Sequence, residues 1–496
     1  MEKDWGMLIT LVIYFLFMFG MGLVHFKRKE SLEGYLLGGR KVGPWVSAMS
    51  AEASDMSGWM LMGLPGYAYI SGVSAFWIAI GLALGTYLNW RFVAQRLRVF
   101  TVTANNSITI PDFFENRYGD KTKILRIVSS IFIFIFFLIY TASSFVAGGR
   151  LFNTVFGLDY FWSLLITAGI VVFYSFCGGY TAVCRTDFFQ GCLMFFAIIL
   201  VPVTGMLAVG GPTASVDILY RANHNFFNFF TDATGASLSF IAIISLLAWG
   251  LGYFGQPHII VRFMGISSAK EIPQATHIAM VWVVFSLFFS VVSGMVGRVV
   301  LGEGLKGVHA ETVFMVLSGT YFNSVIAGVI IAAILGAIMS TSSSQLLVSA
   351  SAITTDFYYA LLRKNATPQE LVNVSRISVF LVACCSLVLA LNPNNYILDL
   401  VAYAWAGFGA AFGPLVLFSL YWSKTTLGGA VGGVIVGGST VLLWKQFLGY
   451  TGIYEIIPGF IFSCIAIYVI SRCNKEPAQV TKEQFAKFQK ALAQEE

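Results

Sequence analysis

Charge is what this 496-residue chain has least of: Asp, Glu, Lys and Arg make up 11% of it, against 57% hydrophobic residues. A soluble domain carries about a quarter charged residues. The bulk of this chain therefore belongs in lipid, which excludes a soluble enzyme, a nucleic-acid binder and a secreted disulfide scaffold. Cysteine is sparse as well. Cys177, Cys184, Cys192, Cys384, Cys385, Cys464 and Cys473 lie in or beside apolar segments, without the paired spacing of a disulfide or zinc framework, and read as small packing residues. The five histidines, His25, His224, His258, His277 and His309, are too scattered for a metal site. The net charge of +6 reflects basic cytoplasmic loops rather than an acidic partner.

What the chain has in abundance is hydrophobic length, with a mean hydropathy of +0.78. A window of about 19 residues predicts thirteen membrane spans, near 6–26, 45–70, 74–95, 124–149, 158–177, 187–210, 238–256, 275–300, 324–356, 373–391, 397–422, 426–447 and 456–471. The fold class is an all-α polytopic membrane protein. The first run is preceded by Glu2 and Asp4 and followed by Lys27, Arg28 and Lys29, the reverse of a cleavable signal, so it reads as a retained helix. With the N-terminus outside and the C-terminus inside, only Lys3, Arg150, Arg221, Arg298, Lys306 and Lys445 of the 30 basic residues fall on or near the outer side. The tail 472–496 is expected to be a short cytoplasmic helix or a disordered end.

Two spans are interrupted at membrane depth. In Ser47 to Gly66, helical spacing sets Ser50, Ser54 and Ser57 on one face beside Glu52 and Asp55. A stripe of serines is commonly helix-packing glue, but two carboxylates are costly to bury in lipid, which points to a water-filled or ion-filled site. The second interruption, Leu247 to Pro257, contains three glycines after Trp249 and ends in a proline. Such a stretch is expected to unwind and expose carbonyls, and irregular backbone at that depth is tolerated where it lines a cavity. The two interruptions open the second and seventh spans. An odd number of spans apart, they start from opposite faces, which predicts two inverted five-helix repeats with the site between them. The expected units are 1–44 (first helix and loop), 45–210 and 238–422 (the repeats), 211–237 (an outer loop), 423–471 (two added spans) and 472–496 (the tail).

In the ninth span, Ala337, Ser340, Thr341 and Ser344 share one helix face. Their hydroxyls either bond back to the preceding turn or, with nearby carbonyls and no thiolate or imidazole, suit a hard monovalent cation such as sodium. Gly429, Gly433 and Gly437 form a small-residue face for helix packing. The run Phe226 to Phe230 reads as either an extracellular lid or an interfacial segment.

The stretches Ala51 to Gly66, Gly178 to Asp187, Trp249 to Met264 and Ala337 to Ser344 resemble the solute:sodium symporter family, in detail its bacterial sodium/proline symporters. The resemblance covers nearly the whole chain. It implies a leucine-transporter-type core of ten helices in two inverted repeats, with one helix before and two after. It further implies sodium as the coupling ion, held by the carbonyls of Ala53, Met56 and Ala337 and the hydroxyls of Ser340 and Thr341. Asp55 matches an acidic position important for sodium. The substrate region maps onto Ser57, Gly58, Tyr140, Trp249, Tyr253 and Pro257, although Tyr140 taken alone is an ordinary packing residue. Arg40 and Asp187, both placed on the cytoplasmic side, match positions of functional weight and suggest a gate. The expected substrate is L-proline, with pantothenate, a sugar or another amino acid as the alternative. The protein is expected to act as a monomer among lipids of a bacterial inner membrane. A membrane enzyme or sensor is disfavoured, because no convergent nucleophile and base or appended sensory domain is visible.

Overall fold

The computed structural model describes residues 5–26, 32–177, 180–474 and 477–495. Lys3, Lys27, Arg28 and Lys29 of the charge count, Glu2 and Asp4, and Gly178 and Gly179 lie outside the described residues, as do the side chains of His25 and Cys177. Every described regular element is a helix, apart from isolated bridges Val42 to Ile266 and Thr231 to Ser237.

In sequence order, the chain begins with α1 (Trp5–Phe26), α2 (Leu32–Leu37), α3 (Pro44–Asp55), α4 (Leu64–Ser71), α5 (Phe76–Asn89), α6 (Gln95–Thr103) and α7 (Ile110–Tyr118). It continues through α8 (Ile124–Phe156), α9 (Tyr160–Cys177) and α10 (Tyr180–Ala208) to the connecting α11 (Pro212–Ala222). There follow α12 (Phe240–Leu247), α13 (Pro257–Gly265), α14 (Ile272–Leu301), α15 (Val313–Tyr321), α16 (Ser324–Ser351), α17 (Pro368–Leu389) and α18 (Ile397–Tyr421). The chain ends with α19 (Leu427–Phe447), α20 (Ile456–Cys473) and α21 (Gln479–Glu495).

Among the described residues, nine helical stretches are long and apolar enough to cross a membrane, and the pair Phe240–Gly255 and Pro257–Gly265, bent by 45°, makes a tenth. Trp5–Met21 and Tyr160–Ser175 are shorter apolar helices. One of the nine, Trp59–Thr103, turns back on itself at Gly72, whose φ of +71 lies in the left-handed region that favours glycine. The turn returns Trp90 to the side of Glu52. A Cβ on Gly72 would also lie 2.6 Å from the Phe226 carbonyl. Phe226 is buried there, and Trp77 donates to the Phe229 carbonyl at 2.8 Å, so the aromatic run is anchored to the helix ends while the rings of Phe229 and Phe230 stay exposed.

Two sequence expectations need correcting. The seventh span does not end at residue 256. Pro257 occupies the first turn of a new helix, where its missing N–H costs nothing, and α13 runs on for nine residues. The ninth span continues past 356 as a π-helical stretch, Ala352–Leu362. Of the two alternatives for the tail, the structure has the helix, α21. Phe488 stacks on Phe100 at 4.2 Å between ring centroids, and Arg117 donates to the carbonyls of Thr481 and Ser419. The glycine face of α19 does pack closely, with Gly433 against Ile467 of α20 and Gly437 against the Ala410 carbonyl of α18.

Candidate functional site

The two interrupted spans lie side by side and antiparallel. Ser47 donates to the Arg262 carbonyl (3.1 Å), Tyr253 donates to Asp55 (2.6 Å), and the rings of Trp59 and Trp249 are 6.4 Å apart. Numbers rise along one segment as they fall along the other.

The first break is short and polar. Helix α3 stops at Asp55, Met56 takes φ −83 and ψ 78, and helix resumes at Gly58 through a π-helical turn, Trp59–Gly63. The released Asp55 carbonyl accepts from the Ser57 N–H (2.9 Å), the Trp59 indole (2.9 Å) and the Tyr140 hydroxyl (3.1 Å). One residue turn earlier, the Ala53 carbonyl faces α16, where Ser340 donates to it at 2.7 Å and Thr341 at 3.4 Å. Ser340 also lies 3.2 Å from the Ala337 carbonyl. Ala53, Met56, Ala337, Ser340 and Thr341 are all buried. Ala53, Ala337, Ser340 and Thr341 thus converge, while Met56 sits at the break with its N–H bonded to the Glu52 carbonyl. Neutral oxygens without nitrogen or sulfur suit a monovalent hard cation. A hydroxyl that donates to a carbonyl can instead turn a lone pair toward a cation sharing that carbonyl. Ser342 and Ser343 bond back within α16, to the carbonyls of Ile338 and Ser340, and so remain structural.

The second break is long and packed. Ala248–Gly255 is 3-10 helical, and the backbone is extended at Gln256 before α13 begins. Its glycines allow close packing. A Cβ on Gly250 would lie 2.2 Å from the Gly81 carbonyl, on Gly252 1.8 Å from the Trp405 indole, and on Gly255 2.2 Å from the Phe408 carbonyl. None of the three has positive φ, so close approach and not turn geometry requires them. Two carbonyls here have side-chain partners: Trp405 donates to that of Trp249 at 2.7 Å, and Gln256 to that of Gly252 at 3.3 Å.

The predicted substrate residues divide accordingly. Tyr140 and Tyr253 both bond to Asp55, through its carbonyl and its carboxylate respectively, and Trp249 stacks toward Trp59 and Tyr454. Gly58 permits contact with Ala147, whose Cβ a methyl there would approach to 2.7 Å. Ser57 does not continue the face of Ser50 and Ser54, because the helix ends before it; its hydroxyl accepts from the Trp59 N–H. Pro257 lines a small cavity of about 30 Å³ toward the predicted inner end, with Ile110, Tyr180 and Leu347 among its walls.

Asp187 lies inside the helix packing. It is fully buried, accepts from Ser50 (2.7 Å) and Ser54 (3.2 Å), and pairs with Arg262 at 3.3 Å. Arg262 also donates to Ser344 (2.6 Å), so α3, α10, α13 and α16 are tied together at one point. Arg40 lies at the predicted inner end, buried, donating to the carbonyls of Met264 and Ser107 (both 2.7 Å) and to Asn106 (3.0 Å). It clamps the loop before α3 to the end of α13.

Sequence reasoning passed over several paired groups. Arg262 stood unremarked inside a quoted segment, and its presence within an apolar helix was the available signal. Glu52, singled out earlier, bonds Trp90 at 3.1 Å. At the predicted outer end Arg150 pairs with Glu311, which also caps α18 by accepting from the N–H groups of Ile397 (3.0 Å) and Leu398 (3.1 Å). At the predicted inner end Arg126 binds Asp356 (2.8 Å), Glu115 (2.8 Å) and Asp112 (3.1 Å). Among the described residues, no group of three or more His, Cys, Asp or Glu is arranged to hold a metal.

Comparison with known proteins decides the family, since the sodium:solute symporter family model matches residues 35–437. The chain belongs to the sodium:solute symporter family. It is 48% identical to the sodium/proline symporter of Escherichia coli over 485 residues, covering 97% of this chain and 95% of that one. It is 46% identical to the osmoregulated proline transporter of Bacillus subtilis, covering 98% of both chains. In fold it is similar to a sodium-coupled sialic acid symporter in a substrate-bound outward-open state, with a TM-score of 0.79 at 19% identity, covering 96% of this chain and 99% of that one. This family member is a multi-span helical membrane protein with a leucine-transporter-type fold, and sodium is its coupling ion.

Proposed function

We propose that this symporter imports L-proline together with sodium across a bacterial inner membrane by alternating access. The observation that carries the ion half of this reading is the meeting of Ser340 and Thr341 with the Ala53 carbonyl at the first break. Sodium there would draw α16 onto α3 and fix the orientation of Asp55, which in turn holds Tyr140 and Tyr253. Asp55 serves as an organiser of the two breaks; Met56 would supply the remaining carbonyl. The solute half rests on near-full-length similarity to proteins named for proline transport. It also rests on the aromatic walls Tyr140, Trp249 and Tyr253, against which a pyrrolidine ring packs and its cationic nitrogen is attracted. Ser57, Gly58 and Pro257 complete the substrate region. Arg40 and the Asp187–Arg262 pair hold the inner halves of the broken spans and must rearrange for inward release.

In this reading there are thirteen spans, an outer N-terminus, an inner C-terminus and repeats over 45–210 and 238–422, and the chain works as a monomer without catalysis. A potential of about 100 mV supplies roughly 2.3 kcal/mol per charge, and a tenfold sodium gradient adds about 1.4 kcal/mol. Together they support on the order of a 500-fold solute gradient from one ion.

The test is uptake of labelled proline into proteoliposomes with and without an imposed sodium gradient. Sodium-driven accumulation that unlabelled proline suppresses, and that pantothenate, sugars and other amino acids leave intact, is the expected result. Uptake indifferent to sodium would end the proposal.

A further inference from the structure

His258 is fully buried in the first turn of α13, directly after Pro257, and neither ring nitrogen has a hydrogen-bond partner among the described residues. Its ring stands edge-on to Tyr140 at 5.7 Å between centroids and to Phe137 at 5.5 Å, and Phe137 packs on Phe408 at 4.4 Å. Tyr140 in turn reaches the Asp55 carbonyl at the first break. The imidazole therefore borders the aromatic region between the two breaks. The charged group beneath it, Arg262, takes the His258 carbonyl at 2.6 Å, and its guanidinium is committed to Asp187 and Ser344. It leaves the ring nitrogens unengaged.

A buried polar ring is rarely left unsatisfied, because each unmade bond carries the full cost of desolvation. Neutral imidazole offers one donor and one acceptor. An amino-acid solute brings a carboxylate into a site otherwise walled by aromatic faces. We infer that the His258 imidazole N–H donates to the carboxylate of the bound solute and so selects for amino and imino acids over ring analogues that lack a carboxylate. This rests on the proline reading above and adds a specificity residue to it.

The test compares L-proline with L-prolinol, which keeps the ring and nitrogen but lacks the carboxylate, as competitors of labelled proline uptake. In His258→Phe, which preserves aromatic packing, the proline concentration for half-maximal uptake should rise about 10- to 100-fold, the usual weight of a hydrogen bond to a charged group. The preference for proline over prolinol should shrink by a similar factor, and His258→Gln, with an amide donor, should restore part of it. A purely structural histidine would weaken both competitors alike. Where His258→Phe fails to reach the membrane, His258→Met takes its place and the same preference decides. An unchanged preference in a variant that still transports overturns the inference. Absence of sodium-dependent proline uptake in the unsubstituted protein would instead overturn the proline reading itself.

Discussion

The two interrupted spans share one signature in the sequence and differ in physical cause. At the first, two residues leave the helix and their neighbours' oxygens are shared with other helices: Ala53 with Ser340 and Thr341, Asp55 with Tyr140 and Tyr253. At the second, eight residues tighten into a 3-10 helix so that glycines can press onto the backbone of α5 and α18. Shared polar groups shape the first break, and close packing shapes the second. An unwound segment rich in glycine is thus not by itself an ion ligand.

The contrast is exposed to failure first at the glycines. Gly255→Ala pushes a methyl to 2.2 Å from the Phe408 carbonyl, and backbone cannot step aside. A loss of about 3 kcal/mol is expected, seen as little folded protein in a thermal-shift assay of purified membranes. Gly58→Ala meets the Ala147 Cβ at 2.7 Å, with Ile338 and Met62 at ordinary contact distance, and should cost about 2 kcal/mol. Equal tolerance at both positions would mean that the second break is as pliant as the first. Ser340→Ala tests the other side of the contrast. It should raise the sodium concentration for half-maximal uptake about tenfold while leaving protein abundance near normal; Thr341→Ala, whose contact is 3.4 Å rather than 2.7 Å, should do the same more weakly. Unchanged sodium dependence in both variants removes α16 from the ion site. Between these effects lies Tyr253→Phe. It deletes the 2.6 Å bond to Asp55 that joins the two breaks, and is expected to lower stability by about 2 kcal/mol. A melting temperature equal to that of the unsubstituted protein would show that the breaks do not depend on one another.

Local pattern carried much of this structure. Hydropathy located the apolar helices, helical spacing put Ser340, Thr341 and Ser344 on the face that meets α3, and the polar run around Asp55 marked the first break. What escaped was pairing at a distance. Arg262 finds Asp187 75 positions earlier, and Glu311 finds Arg150 161 positions earlier. Neither meeting leaves a trace in periodicity. Pro257 misled for a different reason: the same ring that ends a helix also begins one, and only packing chose between them. Ser57 left the serine face because the helix stopped two residues before it, a boundary that composition does not mark.

The ordered tail bears on how the protein is handled. Shortening the chain to Arg472 would strip Arg117 of the Thr481 carbonyl and of the Phe485 ring that lies 5.1 Å from its guanidinium, and would uncover the Phe100 ring at 5.2 Å. A cation built to be hidden would then stand in an open crevice between α6 and α7, the connector that leads into α8. Affinity tags are better appended beyond Glu496 than exchanged for the residues that precede it.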